Sequence, residues 1–119
     1  LQISVNDQHL KELYNRALLF VYPSYYEGFG IPILEAYTCN CPVALSQASC
    51  FPEIAENAAA YFDPFSVSSM AEAIKSVIYD EAERTRLILA GKERIKLYSW
   101  EKATRQTELV YRKVAKAVF

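Results

Sequence analysis

Two glutamates flank the segment Glu27-Gly-Phe-Gly-Ile-Pro-Ile-Leu-Glu35, whose residue types suit the grip of a diphosphate and neighbouring hydroxyls. A carboxylate accepts two hydroxyl hydrogens, which is the chemistry that recognises vicinal diols. Gly28 and Gly30 remove two Cβ atoms, so the backbone can approach a ligand closely. The N–H groups from Gly30 to Leu34 open a predicted helix and are partly unpaired, which favours an anionic phosphate. One carboxylate before the turn and one inside the helix would then hold hydroxyls on both sides of the diphosphate. The same residues also describe a tight turn followed by a glutamate that merely complements the helix dipole. Spacing alone leaves both readings open.

The elements that must position this segment follow from hydrophobic periodicity. Leu1, Ile3 and Val5 alternate with polar residues, as a short strand does, and Asn6 or Asp7 then caps a helix with apolar positions Leu10, Leu13, Tyr14 and Ala17. Leu18 to Tyr22 is apolar on both faces, the pattern of a strand buried between helices. Pro23 and Ser24 end it, and a helix is predicted from Ile31 to Thr38 with Pro32 in its first turn. A strand at Pro42 to Leu45, a short helix capped by Ser49 and a strand at Ala60 to Phe62 follow. Beyond Pro64 the signal is helical: Val67, Met70, Ala71 and Ile74 form one stripe, and a second helix spans about Glu81 to Leu97 with Gly91 as its weak point. Ser99 caps a third helix, where Ala103, Thr107, Val110 and Val114 share a face. Alternating strands and helices with short connections predict an α/β fold: a partial Rossmann-like parallel sheet of about four strands, with helical crossovers and a helical C-terminal tail.

Composition narrows the functional classes. The chain has 119 residues, 52% of them hydrophobic, and 13 basic against 14 acidic side chains give a net charge of −1. Such a chain holds one domain, and it offers no basic field for nucleic acid. The longest apolar run, Ala17 to Tyr22, is far shorter than the roughly 20 residues a membrane span needs. Cys39, Cys41 and Cys50 lack metal-ligand spacing, and His9 is distant and reads as solvent-facing, so no metal site and no cofactor is expected. Three reduced, buried thiols fit a cytoplasmic protein. Tyr22, Tyr25 and Tyr26 crowd the strand exit, suited equally to packing on a neighbouring domain or to stacking on a base or sugar. Arg84, Arg86, Lys92, Arg94 and Lys96 read as a solvated basic face rather than a surface for anionic membranes.

At the level of motifs, Pro23-Ser24-Tyr-Tyr-Glu27-Gly-Phe-Gly-Ile-Pro-Ile-Leu-Glu35-Ala36 resembles the Glu-x7-Glu signature of the group 1 (family 4) retaining glycosyltransferases of GT-B fold. Leu10-x-x-Leu-Tyr14-x-x-Ala17, Pro42-Val43, Ser46, Pro52-Glu53-Ile54, Asp63-Pro64 and Ser99-Trp100 match in the same order. The resemblance covers nearly the whole chain. It implies that Glu27 approaches hydroxyls of the donor sugar as the near-catalytic residue, and that Glu35 binds the ribose hydroxyls of the nucleotide. It also implies substrate contacts from Gly28, Phe29, Gly30 and Ile31 at the sugar and diphosphate, and from Pro42 and Val43 on the nucleotide side. Asn40 stands where the family usually has Gly, and Asn tolerates the left-handed conformation such a turn requires.

The resemblance further implies the whole enzyme's activity: transfer of a sugar from a nucleoside diphosphate sugar to an acceptor hydroxyl, with retention. Residues 1–119 then correspond to the C-terminal part of the donor-binding domain, beginning at what resembles the third strand of a sheet ordered 3-2-1-4-5-6. The acceptor, a glycan or lipid-linked sugar, would be held by an N-terminal domain, and an Arg and a Lys near the start of the donor-binding domain itself would face the diphosphate. Such a chain taken alone is expected to be inactive and to have an open strand edge at Leu18 to Tyr22, prone to self-association. Peripheral attachment of the whole protein to the inner face of a membrane is compatible with this picture. A non-catalytic nucleotide-sugar-binding or interaction module of the same fold is the competing reading, and a related epimerase or phosphorylase fits the Glu-Gly-Phe-Gly-x-Pro run less well.

Overall fold

Asn6 starts the first helix by accepting a hydrogen bond from the His9 amide at 2.9 Å, which satisfies one of the amides a helix leaves unpaired at its start. This and the following elements come from a computed structural model that describes residues 4–118. The helix, α1 (Asp7–Arg16), is followed by β1 (Phe20–Tyr22), α2 (Ile31–Thr38), β2 (Val43–Ser46), α3 (Phe51–Ala55) and, after a 3-10 turn at Glu56–Ala58, β3 (Ala59–Phe62). Three more helices complete the chain: α4 (Val67–Ile78), α5 (Glu81–Ile95) and α6 (Trp100–Val118). The strand predicted at Leu1 to Val5 falls largely on residues 1–3, outside the described residues, and Ser4 and Val5 carry no regular structure.

The sheet has three strands among the described residues, in the order β1-β2-β3 and wholly parallel, with Phe20 opposite Val43 and Val43 opposite Ala59. Sequential order in a parallel sheet is also the order found in each half of a doubly wound arrangement. β2, the middle strand, is buried throughout and divides its side chains between two cores. Val43 and Leu45 join Ile33, Phe51 and Tyr14 on the α2–α3 side, whereas Ala44 joins Phe62 and Ala73 on the α4 side. β1 has β2 as its one neighbour, so its outer edge is unpaired among the described residues. That explains a departure from expectation: β1 is only half-buried and Leu18, outside the strand, is 59% exposed. Leu13 is exposed for the same reason, since nothing described covers the outer side of α1.

Other expectations shift by fractions of a helical turn. The buried stripe of α4 runs through Ala73 and Val77 with Met70 beside it, while Val67, at the helix start, lies in solvent. Asn40 does adopt the left-handed conformation, at φ 56°. Among the cysteines, Cys41 alone is fully buried, and burial pushes its thiol up to about 11; Cys39 and Cys50 are half-buried. The basic residues of α5 are not a plain solvated face. Arg84 donates to the carbonyls of Val77 and Ile78 at the end of α4, and Arg86 donates to Asn57. Arg94 is nearly buried and reaches the carbonyls of Glu53 and Ile54 at 2.8 and 2.9 Å, with Glu56 paired at 2.9 Å. It satisfies carbonyls that α3, a single-turn helix, cannot pair internally.

Helix α6 follows from the Ser99 cap, which accepts from Lys102. Its described side chains all lie in solvent, including Val110 and Val114, so the predicted apolar face has no cover among the described residues. The long axis of the molecule, 59 Å against 31 Å in the other directions, reflects this projection.

Gly91 is a packing device rather than a weak point. A Cβ placed there would lie 2.5 Å from the Tyr37 ring of α2, so α5 rests directly on that ring, whose hydroxyl donates to Ala58 at 3.1 Å. In an exposed helix, Gly to Ala stabilises by up to ~1 kcal/mol. Here Gly91→Ala should instead destabilise by about 1–3 kcal/mol through overpacking. Equilibrium urea unfolding measures this, and a stabilised variant would refute the contact.

Candidate donor site

The loop leaving β1 turns at Gly30, whose φ of 95° lies in the left-handed region. A side chain there would also meet Ile33 and the Phe51 ring at 3.0 Å. Gly30 is therefore demanded by the fold twice over. Gly28 is not: nothing lies within 4 Å of where its Cβ would be, so the space above it is open. Helix α2 begins immediately after the turn, with Pro32 in its first turn and no side chain capping its N-terminus. The Ile31 amide, at the first position, has no acceptor within the helix.

Glu27 is anchored through one oxygen. Its Oε1 accepts from the Tyr22 hydroxyl at 2.7 Å and from the Ser24 hydroxyl at 2.8 Å, while Oε2 has no partner among the described residues. These two bonds, Tyr22 first, hold the carboxyl below the usual carboxylate range. Burial, with the Glu27 bond second, pushes Tyr22 up to about 12, so its proton stays on the phenol. The Tyr22 ring is itself fixed against Phe51, with ring centres 5.0 Å apart. Glu27 is thus an oriented, ionised acceptor with a free oxygen.

Glu35 lies in the second turn of α2, and its Oε2 accepts from the Tyr14 hydroxyl of α1 at 3.3 Å. Burial, then the nearby carboxylate, raises the Tyr14 pKa. Glu35 lines a shallow groove between α1 and α2 with Leu10, Lys11 and Thr38. The two glutamates therefore face different surroundings, each with a tyrosine hydroxyl.

The structure brings Glu27, Gly28, Phe29, Gly30 and Ile31 together at the C-terminal edge of the sheet, with Glu35 further along α2. It does not bring Pro42 and Val43 there. Both are buried at the N-terminal end of β2, the opposite edge of a parallel sheet, where Pro42 accepts from the Phe20 amide and Val43 packs in the core. Of the three tyrosines, Tyr22 has a definite role as a Glu27 donor, whereas Tyr25 stacks on Phe65 at 5.0 Å and Tyr26 is 81% exposed. The Phe29 ring meets Tyr98 edge-on at 5.6 Å. Sequence reasoning missed Ser49. It does not cap α3; its hydroxyl donates to the Glu27 carbonyl at 2.9 Å and accepts from the Glu27 amide at 3.2 Å. Its signal, a polar residue two positions beyond Gln47 and before a proline-containing helix, is also that of a cap. Among the described residues no group of three or more His, Cys, Asp or Glu is arranged to hold a metal ion.

Because the folded carboxyl of Glu27 titrates below its unfolded value, the anchoring contributes stability at neutral pH that is lost as pH falls through the folded value. Tyr22→Phe removes the larger of the two bonds. The Glu27 carboxyl should then titrate higher, nearer an ordinary glutamate, in a carbon-detected NMR titration. An unmoved titration point would contradict the anchoring.

Comparison with known proteins places this geometry in a family. Residues 2–94 match the family described as glycosyl transferases group 1. The chain is 40% identical over 108 residues to O-antigen chain mannosyltransferase B of Escherichia coli, which covers 91% of this chain and 28% of that protein. It is 43% identical over 76 residues to O-antigen chain mannosyltransferase RfbU of Salmonella typhimurium strain LT2, covering 64% and 21% respectively. Among solved structures, a sucrose-phosphate synthase from Thermosynechococcus elongatus superimposes with a TM-score of 0.85 at 30% identity, over 96% of this chain and 29% of that one. The chain thus spans under a third of the length of the relatives it matches. The α/β, Rossmann-like fold and the Glu27 turn therefore have a common context: this chain belongs to the glycosyl transferases group 1 family.

Proposed function

We propose that the chain supplies the donor-binding half of a retaining glycosyltransferase that moves a mannosyl unit from a nucleoside diphosphate sugar to an acceptor hydroxyl of a glycan. The observation that carries this reading is Glu27: a carboxylate pinned through Oε1 with Oε2 free, next to open space over Gly28 and the uncapped start of α2. Mannose is favoured by the two mannosyltransferase relatives. In this reading residues 1–119 are the C-terminal part of the donor domain, and the unpaired edge of β1 takes a further strand of that domain.

The sugar's anomeric carbon loses its bond to the diphosphate oxygen and gains one to the acceptor oxygen on the same face. The acceptor's proton passes to the departing diphosphate. Glu27 orients the sugar hydroxyls and stabilises positive charge that develops on the ring, while the first amides of α2 face the leaving phosphate. Glu35, held by Tyr14, receives the ribose hydroxyls.

The test is a thermal-shift and transfer screen of the full-length protein against GDP-mannose, UDP-glucose and ADP-glucose. Glu27→Ala should lower turnover by roughly 100-fold or more, the scale at which oriented groups act. Glu35→Ala should chiefly weaken nucleoside diphosphate binding. No stabilisation by any of the three donors, or full turnover in Glu27→Ala, would sink the proposal.

A further inference from the structure

We propose that Ser49 and Cys50, on the loop after β2, are positioning residues that clamp the backbone beneath Glu27 and so set where its carboxylate stands; this rests on the donor-site reading above. Three donor protons link these residues to a short stretch, the single thiol proton of Cys50 being shared between two carbonyls. The Ser49 hydroxyl donates to the Glu27 carbonyl at 2.9 Å and accepts from the Glu27 amide at 3.2 Å, so a single side chain grips both polar groups of that residue. The Cys50 thiol lies 3.4 Å from the same carbonyl and 3.1 Å from that of Phe29.

Ser49 holds φ 55°, a conformation that glycine adopts freely and a residue with a side chain does not. Such an outlier persists where the surroundings over-determine it. Neither of the two usual reasons for a serine here applies. Helix α3 has no side-chain cap, and Ser49 is exposed, so no core packing holds it. What its side chain does contribute is the two-way bond to Glu27. The loop has a need for it. A Cβ at Gly28 would meet nothing within 4 Å, so no neighbouring group packs over the loop on that side of Gly28. Tyr22 and Ser24 fix the Glu27 carboxylate, and Ser49 and Cys50 fix the backbone from which it springs. The carboxylate is thereby held at both ends.

The experiment uses the full-length protein with Ser49→Gly, which removes the hydroxyl and relieves the backbone, together with Ser49→Ala and Cys50→Ala. Hydrogen–deuterium exchange over residues 25–30, thermal unfolding, binding of GDP, UDP and ADP, and turnover with the donor panel are measured. In Ser49→Gly the Glu27 amide should exchange about 10-fold faster and turnover should fall about 10- to 100-fold, the scale expected for misplacing an oriented group by about 1 Å. Its unfolding temperature should not fall, and nucleoside diphosphate affinity should stay within about 2-fold, because the start of α2 is untouched. Ser49→Ala should lose the same turnover and also unfold earlier, and Cys50→Ala should show a smaller version of the exchange and turnover changes. Unchanged exchange in Ser49→Gly, or unchanged turnover despite faster exchange, would overturn the proposal. If the unsubstituted protein neither binds a nucleoside diphosphate nor transfers sugar, the donor-site reading fails, and exchange alone then decides whether the clamp exists.

Discussion

The ring of Phe51 sits under the turn that begins α2, and both halves of the site lean on it. From one side it excludes any side chain at Gly30, since a Cβ there would come within 3.0 Å. From the other it packs on Tyr22, whose hydroxyl holds Glu27. Phe51 is fully buried, which contributes about 1.5–3 kcal/mol by area alone. The direction in which α2 points its first amides and the placement of the carboxylate thus share a single support. A change that moves this ring moves both. The Gly30 turn and the Tyr22 anchor are consequently not independent features of the site.

Short parallel strands make this economy possible. With β1, β2 and β3 in sequential order, the loops after β1 and β2 emerge side by side at the same edge. That adjacency lets Ser49 and Cys50 reach Glu27 although 22 and 23 residues separate them in sequence. The following helix is too short to stabilise itself, and Arg94 of α5 supplies what it lacks by taking the carbonyls of Glu53 and Ile54. Arg94 is held in turn by α5, which rests on Tyr37 of α2 through Gly91. The support therefore closes a circuit from α2 through α5 to α3 and back to the turn.

Much of this was legible in the sequence where local chemistry and tertiary demand agree. Ile31–Thr38 forms the predicted helix because Pro32 fits its first turn and Gly30 supplies the left-handed residue before it. Asn40 takes the positive φ its type permits. What the sequence concealed was partnership across long separations. Gly91 looks like a helix defect until Tyr37 is placed against it, and Arg94 looks solvated until α3 is seen to lack carbonyl partners. Ser49 fits a helix cap locally, yet its bonds run to Glu27. Pro42 and Val43 sit beside the site in the order of motifs but at the other end of the strand in space. Burial of Leu18 was misjudged because apolarity on two faces implies two neighbours, and β1 has one among the described residues.

The electrostatics of the site carry the last step. Neither Glu27 nor Glu35 is paired with a lysine or arginine among the described residues; each is held by neutral hydroxyls. Neutral donors fix a carboxylate without cancelling its charge, which leaves it able to attract hydroxyl hydrogens or a developing positive centre. The same uncancelled charge repels a diphosphate. The start of α2 offers about half an elementary charge against this, less than a diphosphate carries. On the proposed donor role, the balance has to come from cationic groups other than those paired within this chain. Three arginines of α5 are already committed: Arg84, Arg86 and Arg94 spend donors on backbone carbonyls that hold helices together. On that proposed role, this chain orients the sugar and nucleotide hydroxyls, and the leaving group is neutralised by cations other than Arg84, Arg86 and Arg94.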